Sequence, residues 1–121
     1  MKDRARPMGQ QERARQEMPQ SEVVRLDELV NRQHGAVVSR TLLQRATGTV
    51  TVFAFDEGQG LSEHTAPFDA LVQVLEGSAE ITISGKVLQV RLGDAVMLPA
   101  NQPHAVKATS CLKMLLTMIR S

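Results

Sequence analysis

Three histidines, His34, His64 and His104, are the side chains best suited to chemistry near neutral pH. Imidazole can ligate a metal, carry a proton or orient a ligand by hydrogen bonding. His34 sits in the polar stretch NRQHG and reads as a surface or helix-end residue. His64 follows a Gly-rich loop and precedes a strand, and His104 follows a Pro-rich turn and precedes another. A closed sheet could bring two such residues together, whereas the plainer alternative is that each caps its own turn. The lone Cys111 opens the last apolar run, reads as a buried structural thiol and excludes an internal disulfide framework. No partner arrangement for a Ser or Cys nucleophile is visible, and neither GxxxxGK[ST] nor GxGxxG occurs.

The elements that must position these residues are mostly strands. Leu26, Leu29 and Val30 follow helical spacing behind Asp27, enough for one short turn that Gly35 ends. Strands are expected at 36–45, 49–55, 70–76, 79–84, 87–92 and 95–98, with turn signals between them. The final segment, 111–120, could be drawn as a helix. Its place after a meander, with Leu112, Met114, Leu116 and Met118 in phase, favours a strand. Many short strands at this spacing predict an all-β antiparallel sandwich or barrel.

Residues 1–20 carry five basic and three acidic residues and no large apolar side chain besides methionine. Composition therefore predicts a disordered arm over 1–20 and one domain over 21–121. The arm lacks the apolar core of a secretory signal, so a cytoplasmic location is the default expectation. With 14 basic against 13 acidic residues, net charge +1, no Trp, no Tyr and three Phe, nucleic-acid binding is not expected. No apolar run is long enough for a membrane helix. Arg25, Arg32, Arg40, Arg45 and Arg91 are dispersed and read as solvent-facing.

Two segments give a family likeness. The first runs from Gly58 through His64, Ala66 and Ala70 to Gly77, in the spacing G-x5-H-x-H-x3-E-x6-G. The second runs from Gly93 through Pro99, Asn101 and His104 to Ala108, in the spacing G-x5-P-x-G-x2-H-x3-N. Residues 78–92 between them have the length of one hairpin. In these motifs the chain resembles the cupin superfamily, and in particular its small single-domain bacterial members. The resemblance implies an RmlC-like jelly roll (an antiparallel double-stranded β-helix), a functional cavity inside the barrel and a homodimer.

Metal-binding cupins draw two His and one Glu from the first motif and one His from the second. Here His64 and His104 keep two of those places, while Ala66 and Ala70 replace the other His and the Glu. Glu63 and Asp69 are adjacent to motif positions, so an extended strand would aim them at the opposite face. Gln73 also has the wrong parity unless a bulge intervenes, and reads as an outward residue. The metal site looks degraded, and Phe68 and Met97 would line a mostly apolar pocket beside the two imidazoles.

Three readings follow. The preferred one is a domain that binds a small molecule next to His64 and His104, with no certain cofactor. The second is an oxygenase or isomerase holding a weakly bound Mn, Fe, Ni or Zn ion through His64 and His104, completed by water. The third is a structural dimerisation module using the even face of residues 112–118.

Overall fold

The computed structural model describes residues 17–120. Among the described residues nine strands follow a 3-10 turn at Leu26–Glu28: β1 (Val37–Arg45), β2 (Gly48–Phe55), β3 (Gly60–His64), β4 (Asp69–Glu76), β5 (Ser78–Ile83), β6 (Lys86–Arg91), β7 (Ala95–Leu98), β8 (His104–Ala108) and β9 (Leu112–Ile119). They form a five-stranded sheet in the order β1-β2-β9-β4-β7 and a four-stranded sheet in the order β3-β8-β5-β6. Every pairing is antiparallel. The all-β jelly roll expected from the sequence is the fold of the chain.

Alternation builds the interior. In β5, Ala79 and Ile81 are buried while Ser78, Glu80 and Thr82 take the other face. Ser84 and Gly85 both have positive φ, 48° and 83°, the two-residue primed turn that matches the twist of the β5–β6 hairpin. Phe55, Val72, Ile81, Leu112 and Met114 meet between the sheets in one apolar cluster. The even face of β9, expected as a dimer contact, thus points into the barrel, where Leu112, Met114 and Leu116 pack with Ile81 and Val106 of the facing sheet. The dimerisation reading loses the surface it relied on.

The five-stranded sheet is buried on its outer face too. Leu42, Val52, Ala54 and Leu115 form a second cluster with Val30, against which Met18, Leu26 and Leu29 pack. The chain from Glu17 to Val30 is therefore a strap across β1, β2 and β9. Its Met18 N–H donates to the Leu42 carbonyl at 3.0 Å, and Lys113 Nζ donates to the Asp27 carbonyl at 2.6 Å. Arg40 bonds the carbonyls of Leu29 and Glu17, so it is tied to the strap and not solvent-facing. Of the expected arm over 1–20, residues 1–16 lie outside the described residues, while Glu17 and Met18 belong to the strap. Charge-rich composition concealed that one methionine anchors there.

Candidate functional site

The site depends on β3, a strand that the sequence hides. GLSEH contains a single large apolar residue, Leu61, and β3 is an edge strand paired only with β8. Gly60 makes that pairing close: a Cβ there would meet the Val106 carbonyl oxygen, with Lys107 Cα and the Val106 carbonyl carbon each at 3.2 Å. The register runs Gly60 opposite Lys107, Leu61 opposite Val106 and His64 opposite His104. Three steps along β3 thus span two along β8, which is a bulge at Ser62–Glu63.

The bulge decides where His64 points. Leu61 packs against the barrel core, and in a regular strand a residue three positions later would face out. The extra residue restores parity, so His64 shares a face with His104, which begins β8. Residues directly opposite in an antiparallel pair are in side-chain contact. His64 Nε2 lies 3.1 Å from His104 Nε2, with ring centroids 4.3 Å apart and planes at 71°. His64 ends a strand where the sequence suggested a loop ahead of one, and the two imidazoles do come together.

They are not equally enclosed. His104 is 7% exposed and the only polar residue in the described core, whereas His64 is open to solvent. The pair therefore sits at the barrel mouth, with one ring inside and one outside, rather than wholly within a closed shell. Burial lowers the His104 pKa below its ordinary value. The Gln102 carbonyl opposes that shift, and the neighbouring His64 adds to it.

Backbone carbonyls orient both rings. His64 Nδ1 lies 2.8 Å from the Ser62 oxygen, and His104 Nδ1 lies 3.2 Å from the Gln102 oxygen. A carbonyl only accepts, so each Nδ1 must carry its proton, and each neutral ring then presents a bare lone pair at Nε2. Two neutral imidazoles have two N–H protons, while the three contacts require three. The Nε2 pair is short of one donor.

The loops that carry the rings are tied together. Asn101 N–H donates to the Ala66 carbonyl at 2.7 Å, and Ala100 N–H donates to Asp69 Oδ1 at 2.9 Å. Asn101 occupies the glycine place of the second motif with φ 65°, a left-handed conformation that Asn tolerates. Asp69 is thus committed to holding a turn, and Glu63 and Gln73 are exposed, Gln73 on the outer face of β4 as its parity requires. Ala70 packs at the inner face, contributing no ligand atom.

Two of the expected pocket residues fare differently. Phe68 remains at this end of the barrel, half-buried, with the Arg120 guanidinium carbon 5.3 Å from its ring centre. Met97 does not line the interior. It is 60% exposed because the alternation of β7 turns Val96 and Leu98 inwards and Met97 outwards. His34 is fully exposed beside Asp56, as a surface residue should be. Cys111 is partly buried, its Sγ 3.7 Å from Asp56 Oδ1 at the opposite end of the barrel. Sequence reasoning missed Arg120, whose role shows only once β9 brings it over Phe68.

As a metal centre the arrangement is incomplete. Two imidazoles bound to one ion at about 2.1 Å with angles of about 90–109° would hold their nitrogens roughly 3.0–3.4 Å apart, and the observed separation falls in that span. The remaining places are Ala66 and Ala70, however, and among the described residues no three His, Cys, Asp or Glu side chains gather as an ion would need. The described residues supply two nitrogen ligands and no carboxylate here, fewer than the three protein ligands a catalytic ion ordinarily has.

Comparison with known proteins agrees with this geometry. A family model described as a cupin domain matches residues 51–119, from β2 to the end of β9. A conserved protein of unknown function from Streptococcus pyogenes is 36% identical, with a TM-score of 0.82 over 86% of this chain and 91% of that one. A cupin superfamily protein from Desulfitobacterium hafniense is 28% identical, with a TM-score of 0.81 over 86% and 95%. A Cupin 2 conserved barrel domain protein from Leptotrichia buccalis is 40% identical over 78% of this chain, but this chain spans only 46% of it (TM-score 0.75). No curated protein matches the sequence. The matched segment contains both histidine loops, the bulged edge strand, the whole four-stranded sheet and all of the five-stranded sheet except β1 and the start of β2, and on those grounds the chain belongs to the cupin superfamily.

Proposed function

We propose that this cupin binds a small organic molecule at the barrel mouth, using His64 and His104 as orienting groups. One observation carries the reading: two Nε2 acceptors 3.1 Å apart, each ring held by a backbone carbonyl, with no protein donor between them. A ligand with an O–H or N–H group supplies the missing donor. The apolar surroundings, Ala70 and the barrel core, favour the remainder being uncharged and compact. Phe68 and Arg120 add a flat wall on the same end.

The test is a thermal-shift screen of small hydroxylated and heterocyclic metabolites. A ligand at a hundred times its Kd adds about 2.7 kcal/mol, which for a domain of this size is a rise of roughly 10–20 °C. The shift should vanish in His64→Ala and His104→Gln. A hit whose shift survives both substitutions refutes the reading, as does a broad panel without any hit.

The Nε2 spacing also favours a second reading, in which the two imidazoles loosely hold a divalent transition ion completed by water. Elemental analysis after purification without chelators decides it. Stoichiometric Mn, Fe, Ni or Zn, lost in His64→Ala, supports a metal; sub-stoichiometric content in every preparation dismisses it.

A further inference from the structure

At the opposite end of the barrel, on the outer side of the four-stranded sheet, a pocket of about 430 Å³ is lined by Ser78, Gln89, Val90, Arg91, Asp94 and Thr109. We propose that it is a second binding site, for a neutral polyol such as a monosaccharide, independent of the histidine pair.

Both walls are fixed before any ligand arrives. One is the β8–β9 loop, where Thr109 N–H donates to the Ser78 carbonyl at 3.1 Å and Ser78 N–H donates to Ser110 Oγ at 3.0 Å. That loop can approach only because residue 77 is glycine. Its φ is +77°, and a Cβ there would run into the Cys111 carbonyl. The other wall is the β6–β7 turn. Asp94 N–H donates to the Arg91 carbonyl at 2.8 Å, and Leu92 N–H to the Gly77 carbonyl at 3.1 Å. A preformed pocket loses little ordering entropy on binding.

The polar tips within it are left open. Asp94 turns one carboxylate oxygen back to the Arg91 backbone N–H at 3.0 Å, which keeps it away from the Arg91 guanidinium. Among the described residues that guanidinium has no acceptor, and the second Asp94 oxygen has no donor. Gln89 gives its NH2 to Glu80 at 3.2 Å and keeps its amide oxygen free. Ser78 Oγ is already bonded on two sides, to Thr109 Oγ1 at 2.8 Å and to Ser110 Oγ at 3.0 Å, so Thr109 Oγ1 is the hydroxyl of this pair with capacity to spare.

This inventory selects the ligand class. One positive and one negative side chain cancel, so no net charge recruits an ion. The guanidinium is a planar fork that donates to two neighbouring oxygens at once, which suits vicinal hydroxyls, and the one Asp94 oxygen left over accepts from a hydroxyl. Val90 is buried in the barrel core, so the lining offers polar groups with no apolar or aromatic platform, which points to weak binding.

The test is a titration of the full chain followed by backbone amide NMR, with D-glucose and D-galactose as probes and glycine as the control. The expected result is saturable shifts at Ser78, Gln89, Arg91, Asp94 and Thr109, weakened about tenfold or more in Arg91→Gln and Asp94→Asn through the loss of charged hydrogen bonds. Arg91 is exposed, so its variant keeps the fold, which unchanged shifts elsewhere would verify. Linear shifts with either sugar, an equal response to glycine, or shifts confined to His64 and His104 would overturn the proposal. Failure here leaves the screen at the barrel mouth unaffected, since the two sites share no residue.

Discussion

Gly60→Ala is the sharpest probe of how β3 delivers His64. Gly60 does not need unusual backbone torsion; only space demands glycine. The added methyl would collide with the Val106 carbonyl, and both further neighbours, at 3.2 Å, are also backbone atoms of β8. No side-chain rotation can relieve that, so β3 and β8 must separate. β3 is an edge strand with only Leu61 partly buried, so the separation should stay local. Overpacking of this kind costs about 1–3 kcal/mol, and at about 4–8 °C per kcal/mol the melting point should fall by roughly 4–24 °C. The decisive measurement is on the histidines. NMR contacts between the two rings should disappear, and any ligand or metal response that depends on His64 should go with them. A variant that melts lower yet keeps the ring-to-ring contact would refute the claim that this strand approach sets the site.

Other expectations can be checked on the same protein. Leu42→Ala removes a side chain 1% exposed beneath the strap and should cost about 2–5 kcal/mol in chemical denaturation; Leu43→Ala, at 41% exposure, should cost far less, and equal losses would contradict the burial that sets Leu42 apart from its neighbour. Asp56 is held down to about 2, chiefly by the Gly35 N–H and also by Arg32. Its contribution to stability should therefore be complete above about pH 4 and fade as the pH falls towards 2, and Asp56→Asn should remove that acid limb from the melting profile. His104 has the opposite proton preference from a paired histidine. Burial lowers its pKa, so protonation favours the unfolded chain, and stability should decline as the pH drops below about 6.5. His104→Gln should flatten that decline; an unchanged slope would show that another group causes it.

Much of the barrel could be read from alternation and turn residues. β5, β6 and β7 lie within a residue or two of where Ile81, Leu88 and Val96 and their flanking glycines place them, because each has one dry face and one wet face. β2 and β9 are harder. Val52 and Phe55 are both fully buried although they lie on opposite faces, and period-2 logic has no means of announcing a second roof. β3 was invisible for the opposite reason, since hydrogen bonding to β8 and not hydrophobicity makes it a strand. At the site, motif spacing found His64 and His104, yet it could not supply the bulge that turns His64 onto the face of His104. It misplaced Met97 because residue type was weighed above strand parity. The helical spacing of Leu26, Leu29 and Val30 survived only as a 3-10 turn, its apolar side pressed to the sheet.

The strap also limits what company the molecule can keep. Between Glu17 and Val30 the chain already occupies the outside of β1, β2 and β9, leaving Leu71, Met97 and Ile119, with Leu43 on β1, as the uncovered apolar residues of that sheet. A neighbour packing there must either settle on this narrow margin, far smaller than a full sheet face, or first lift the molecule's own N-terminal segment. In the second case association would uncover Leu42 and Val52, and would carry the cost of that exposure before gaining any new contact.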